Sequence, residues 1–148
     1  MTAHGRISVD DRAQDLETAR KLFDGIAALS ADTEGVSRPA FSGIESETLR
    51  FLENFARSQG LEVWYDAGLN ARFCLPGDRG AARYTVVGSH VDSVPQGGNF
   101  DGLAGVVAEV LNVWEWRVGA EAIDSGGEVR SLLRLLAWFT WPPWPGCW

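Results

Sequence analysis

The chain has 148 residues, 45% of them hydrophobic and 22% charged, a composition that is ordinary for a single soluble globular domain. Its formal net charge of −7 argues against a nucleic-acid or anionic-membrane partner, because both need basic surfaces. No apolar run reaches the roughly 18 residues that span a bilayer, and the polar start lacks the core of a signal peptide. Cys74 and Cys147 do not indicate an oxidising compartment, so we expect a cytoplasmic protein.

Two amphipathic helices are predicted in the first part of the chain. The first covers residues 8–29, where Ser8 with Asp11 would cap its start. Its apolar face is predicted to be Leu16, Ala19, Leu22, Phe23, Ile26 and Leu29. Ser42 and Glu45 fit a capping box that opens the second helix, and Gly60 suits the left-handed position after its end. The predicted buried stripe of that helix is Leu49, Leu52, Phe55 and Ala56.

The following elements predict an α/β fold. Short β-branched and aromatic runs predict strands over residues 61–66, 70–76 and 82–89, with turns at 76–80 and 124–128. Asp101 and Gly102 open a helix that is expected to reach about Val113. Residues 129–140 predict another central strand, although their length and leucines leave a helix possible. This order predicts an α/β sandwich with a mostly parallel sheet.

The loop "GSHVDSVPQGGNFDG", residues 88–102, carries candidate metal ligands. His90 follows a strand end, where open α/β sheets bind ligands, and the Asp92 carboxylate is near enough to accept a hydrogen bond from its ring. Asp101 stands at the mouth of a helix, whose dipole favours a carboxylate. Spacing alone leaves two interpretations open: a metal site, or a local His–Asp hydrogen bond beside a helix cap. Ser89 or Ser93 as a metal-independent nucleophile is disfavoured, since there is no nucleophile elbow.

This loop resembles the metal-ligand signature of the hydantoinase/carbamoylase family of zinc amidohydrolases, which includes N-carbamoyl-L-amino-acid hydrolases and allantoate amidohydrolases. The upstream stretch "GVSRPAFSGIESETLRFLENFARSQGLEVWYDAGLN" is similar to the N-terminal segment of that family. The resemblance covers about residues 15–113. It implies a three-layer α/β sandwich of the zinc aminopeptidase type, of which this chain would hold the N-terminal portion.

The resemblance also implies roles for the loop residues. His90 would bind one zinc ion, Asp101 would bridge two, and Asp92 would orient His90. Gly97, Gly98 and Asn99 would shape the loop beside the metals and substrate. Manganese or cobalt could replace zinc. The implied reaction is metal-assisted hydrolysis of a C–N bond in an N-carbamoyl amino acid or related ureido compound, a small-molecule substrate.

The chain departs from the family pattern after the last predicted strand. Members of the family carry a Glu-Glu pair there, the first glutamate as general base and the second as a zinc ligand. This chain has Phe139-Thr140 followed by Trp141, Pro142 and Pro143, and no proline can act as base or ligand. Further ligands and the dimerisation domain of the homodimeric family would lie beyond this point. We therefore expect residues 1–140 to be a truncated catalytic portion that binds zinc weakly and is inactive alone.

The C-terminal segment differs from the rest in composition, since every tryptophan except Trp64 lies after residue 113. Three interpretations remain open: a Trp/Pro-rich aberrant tail over residues 141–148 from a shifted frame or truncation, an extended recognition element, or a buried strand ahead of Thr140. An alternative function is also open, namely a non-catalytic interaction protein that kept the fold and lost the metal site. Exposed tryptophans that drive aggregation would favour a broken fragment.

Overall fold

The structure, a computed structural model, describes residues 9–76, 85–112 and 135–139. Two helices, α1 (Val9–Ser30) and α2 (Gly43–Ser58), precede the strands β1 (Glu62–Tyr65), β2 (Ala71–Cys74) and β3 (Thr85–Ser89). A third helical segment, here called α3, covers residues 103–112, and β4 (Leu135–Phe139) ends the described chain. The predicted turn at 124–128 and the residues from 140 onward lie outside the described part.

Helix α1 meets the core through its second half. Leu22 and Ile26 are buried, while Leu16 is 73% exposed and Leu29 38% exposed. The predicted apolar face is therefore wrong at both of its ends, because the described core reaches only the middle of that stripe. The proposed cap at Ser8 lies outside the described residues.

Helix α2 begins and ends as predicted. The Ser42 hydroxyl accepts a hydrogen bond from the Glu45 N–H at 3.2 Å, as in a capping box, but the Glu45 carboxylate accepts from the Phe41 N–H, not from Ser42. At the other end Gly60 adopts φ of 77°, and the Leu61 N–H donates to the Ala56 carbonyl at 3.0 Å. This is a Schellman ending, in which a glycine reverses the chain at little conformational cost.

The four described strands form one sheet in the order β1-β2-β4-β3. A short connection joins β1 to β2, so this pair is antiparallel; β2 and β4 are also antiparallel. Strands β3 and β4 are parallel, as expected for a crossover that contains a helix. The α/β fold is confirmed, and residues 135–139 are a central strand, whereas the described pairings are mixed rather than mostly parallel.

One hydrophobic core joins the three helices to β1 and β2. Its buried members are Leu22, Ile26, Leu49, Leu52, Ala56, Leu61, Val63, Ala71, Phe73, Val91, Leu103, Val106, Val107 and Val110. The α2 stripe was predicted correctly, with Phe55 packed at the margin. Three charged side chains are also buried. Glu45 accepts a hydrogen bond from the Phe41 N–H, whereas Arg38 before α2 and Glu109 within α3 each keep a buried polar atom with no partner among the described residues. A buried charge is costly unless it is compensated, so both residues require a physical explanation.

Candidate metal centre

The candidate site begins where β3 ends. His90 follows Ser89, the last residue of β3, and the parallel register pairs Ser89 with Phe139 of β4. The chain therefore leaves two neighbouring strands at the same edge of the sheet. In α/β proteins this carboxyl-end edge is where ligands bind.

His90 and Asp92 are held together by a direct hydrogen bond. The His90 Nδ1 atom lies 3.0 Å from Asp92 Oδ1 and 3.1 Å from the Asp92 carbonyl oxygen. Both side chains are 30% exposed, and no described residue bonds the other ring nitrogen, Nε2. With Nδ1 donating to a carboxylate, Nε2 carries the lone pair that a metal requires. The contact predicted from the spacing is present.

Gly102 brings the start of α3 against the histidine ring. It adopts φ of +62°, and a Cβ atom built on it would stand 2.5 Å from His90 Nδ1 and Cε1. A side chain at this position would thus occupy the space of the imidazole. The adjacent Asp101 is exposed, and its carboxylate makes no hydrogen bond within the described part of the chain. The residue that follows Asp101 therefore packs on the ring of His90, so the two predicted metal ligands lie on chain segments that are in contact.

The glycine-rich turn is fixed to the segment before α2. Gly97 and Val36 exchange two backbone hydrogen bonds, of 3.0 and 3.2 Å. A Cβ atom on Gly97 would lie 2.9 Å from the Val94 carbonyl oxygen, whereas Gly98 faces open space. The Asn99 amide points to the interior, where its nitrogen donates to the Phe23 carbonyl at 3.0 Å. Asn99 therefore supports the loop from behind, while Gly98 leaves its outer surface open.

The two serines near His90 are engaged elsewhere. Ser89 donates its hydroxyl to the Gly102 carbonyl at 2.7 Å, and the buried Ser93 hydroxyl accepts from the Arg38 N–H at 3.1 Å. Neither hydroxyl bonds to the His90 ring among the described contacts. A serine nucleophile activated by His90 is not present in this arrangement.

The described residues of the loop supply two candidate metal donors. His90 offers Nε2 and Asp101 offers a free carboxylate, but no group of three or more His, Cys, Asp or Glu side chains within residues 9–76, 85–112 and 135–139 is placed to hold an ion. A catalytic zinc ion needs about three protein ligands. In the same ranges, no helix is long and apolar enough to cross a membrane.

Comparison with solved structures identifies the fold. A hydantoinase/carbamoylase family amidase from Burkholderia ambifaria superposes with a TM-score of 0.69 at 23% identity, over 83% of this chain and 28% of that one. An amidase of the same family from Burkholderia multivorans gives a TM-score of 0.68 at 22% identity, over the same shares. The chain matches part of the hydantoinase/carbamoylase fold. The α/β architecture expected from the resemblance is thereby confirmed.

Sequence comparison agrees with the structural match. An N-carbamoyl-L-amino acid amidohydrolase from Geobacillus stearothermophilus is 40% identical over 76 residues, which are 51% of this chain and 19% of that protein. A protein from Mycolicibacterium smegmatis with the general name of hydrolase is 37% identical over 124 residues, or 81% of this chain and 28% of its own length. No protein-family model matches the chain. This chain therefore spans less than a third of these relatives.

Two residues that support the site were not predicted from the sequence. Gly102 was assigned only to the helix start, although it is the residue that packs on His90. Arg38 was not assigned any role, although it is fully buried beneath the loop. A signal for Arg38 was available, since it lies in the stretch that resembles the N-terminal segment of the family.

Proposed function

We propose that this chain provides the metal-binding half of an amidohydrolase catalytic domain acting on N-carbamoyl amino acids or related ureido compounds. One observation carries the proposal: the His90–Asp92 hydrogen bond leaves Nε2 available, and Gly102, the neighbour of Asp101 in the chain, packs on the same ring. The relatives named for N-carbamoyl-L-amino acid hydrolysis support the substrate class. Residues 1–140 would be the N-terminal portion of that domain, with a cytoplasmic location.

In this proposal the loop residues divide the work. His90 would hold a metal ion through Nε2, and Asp92 would fix the ring orientation and the proton on Nδ1. Asp101 would contribute its carboxylate as a further metal ligand. Zinc, or manganese or cobalt in its place, would supply Lewis acidity toward the substrate carbonyl and activate water. Gly98 leaves room for the substrate, while Gly97 and Asn99 hold the loop.

The second half of the chemistry is not encoded where the family pattern requires it. Strand β4 ends at Phe139, beside the residue that precedes His90, so its continuation would have to supply the base and a further ligand. The sequence there is Thr140, Trp141, Pro142 and Pro143, without a carboxylate. We propose that the chain alone binds metal weakly and does not turn over substrate.

Cobalt titration of the purified chain tests the metal role, because bound Co²⁺ absorbs visible light according to its ligands. We expect His90→Ala and Asp101→Ala to weaken binding by about tenfold or more, the range for loss of site support. His4→Ala, which removes the other histidine, is the matched control and should bind as the unmodified chain does. Equal binding by His90→Ala would contradict the proposal.

Turnover of an N-carbamoyl amino acid tests the proposed lack of activity. We expect no product above background from the chain alone. Chelator-sensitive hydrolysis that His90→Ala abolishes would show that the chain is a complete enzyme. It would overturn the proposed inactivity while leaving the metal role intact.

A further inference from the structure

The Arg38 side chain lies beneath the loop of residues 88–102 that carries the candidate ligands. The side chain is 0% exposed. Nε donates to the Val91 carbonyl at 2.7 Å, and Nη1 donates to the Ser30 hydroxyl at 3.1 Å and to Asn99 Oδ1 at 3.3 Å. A single guanidinium thus joins the end of α1 to both arms of the loop.

The main chain of Arg38 adds a second attachment to the same arm. Its N–H donates to the Ser93 hydroxyl at 3.1 Å, and its carbonyl accepts from the Ser93 N–H at 2.9 Å. Arg38 therefore contacts the residues on both sides of Asp92, namely Val91 and Ser93. Since the peptide units around Asp92 are fixed in this way, its carboxylate is directed to the His90 ring.

The other arm of the loop is fixed by the same group. Asn99 stands two residues before Asp101, and its amide oxygen accepts from Arg38 while its nitrogen donates to the Phe23 carbonyl. One guanidinium therefore links the His90 arm to the Asp101 arm, in addition to the Ser89–Gly102 hydrogen bond. Lysine could not replace it, because its donors radiate from a single atom and cannot reach separated acceptors in a fixed fork.

The energetic cost of burying Arg38 indicates that packing alone does not explain it. Its Nη2 atom is buried without a hydrogen-bond partner, and no described carboxylate forms an ion pair with it. Burial lowers the pKa of the guanidinium, and the nearby charges of Asp101 and Asp92 act in the opposite direction. An apolar side chain of similar volume would fill the space at lower cost. What the arginine adds is a fork of donors and a fixed charge behind the two carboxylates.

We propose that Arg38 is a positioning residue for the metal site, a buried clamp that sets the spacing of the His90 and Asp101 arms before an ion binds. This inference rests on the proposed function, because it assigns those arms to one metal site. Arg38 touches neither ion nor substrate; it acts through Val91, Ser93 and Asn99. The inference predicts that a substitution of Arg38 acts by changing the geometry of the two arms and not by removing a charge.

Arg38→Lys tests the clamp, since it keeps the charge and loses the fork. We expect Co²⁺ to bind this variant about tenfold more weakly, as for loss of a residue that orients a ligand. Nitrogen-15 NMR of His90 without metal should show loss of the defined Nδ1–H form. Val63→Ala, a core change in β1, is the matched control for lowered stability and should bind Co²⁺ within about twofold of the unmodified chain.

Asn99→Ala provides a second test, which decides if Arg38→Lys does not fold. It removes one arm of the clamp and should weaken Co²⁺ binding several-fold. In the double variant, the loss of Co²⁺ binding free energy should be smaller than the sum of the two single losses, because both substitutions break the same connection.

Each outcome decides between the clamp and a passive role. If the unmodified chain binds Co²⁺ through His90, affinities within about twofold for both Arg38→Lys and Asn99→Ala would overturn the inference. If it binds no Co²⁺ through His90, the proposed function fails, and the NMR signal alone decides on Arg38. Retention of the Nδ1–H form in both variants would then refute the clamp.

Discussion

Glu109 provides the most direct test of the energetics, because its carboxyl is buried in α3 without compensation. The residue is 7% exposed, and its Oε2 atom has no hydrogen-bond partner within the described part of the chain. Desolvation raises the pKa of this carboxyl from 4.5 to about 7. At about 1.4 kcal/mol per pKa unit, ionising Glu109 in the folded chain costs about 3 kcal/mol more than in the unfolded chain.

The sign of the pH effect follows from proton binding. Between the unfolded pKa of 4.5 and the folded pKa of about 7, the folded chain holds a proton that the unfolded chain has released. The contribution of Glu109 to stability is therefore intact below the lower value and is lost as the pH rises through the higher one. Glu109→Gln removes this titration while keeping the side-chain size. Relative to that of the unmodified chain, the free energy of unfolding of the variant should rise by about 2–3 kcal/mol between about pH 4.5 and about pH 8.

Urea unfolding followed by tryptophan fluorescence measures this difference at several pH values. Glu47→Gln is the matched control, since it makes the same substitution at an exposed position of α2. The test compares how the free energy of unfolding changes with pH, so a constant penalty for burying the glutamine amide does not affect it. If the difference between Glu109→Gln and the unmodified chain were the same at both ends of the range, the assignment of a neutral buried Glu109 would be refuted.

Two further substitutions test backbone conformation. Leu69 is 66% exposed and adopts φ of 63°. Leu69→Gly should raise the free energy of unfolding by about 0.5 kcal/mol, because relief of about 1–2 kcal/mol of backbone strain outweighs the added entropy of the unfolded chain. An unchanged or lower free energy of unfolding in urea would contradict this. Gly102→Ala should lose at least about 1–2 kcal/mol and weaken Co²⁺ binding, because the new Cβ atom would displace His90. Gly43→Ala, where a Cβ atom meets nothing, is its control, and equal stability of the two variants would exclude the contact.

Local features of this fold were predictable because they depend on neighbours in sequence. The Ser42 cap, the left-handed Gly60 and the His90–Asp92 hydrogen bond each join residues that are close along the chain. Periodicity also located the α2 stripe, since burial there follows helix geometry. The same reasoning failed for Leu16 and Leu29, because a periodic pattern does not tell how far a helix extends past its partner.

The tertiary features of the site were not predictable from spacing. The Arg38 side chain bonds to Val91 and Asn99, far along the chain, and no local pattern records such contacts. The close approach of Gly102 to His90 depends on how α3 packs under the loop. The mixed pairing of the sheet has a similar cause, since the β1–β2 hairpin adds to β4 from the side opposite β3.

The position of β4 has a consequence for the order of assembly. This strand comes last in the described chain yet lies between β2 and β3 in the sheet, with partners on both sides. Until it is synthesised and inserted, the β1–β2 hairpin and β3 have no described strand in common, and each presents unpaired backbone groups along an edge. The carboxyl end of the sheet, beside His90, is therefore completed only after the ribosome has passed Phe139. Because the closing contacts are distant in sequence, folding is expected to be slow at this step, with the open edges vulnerable to pairing with other chains.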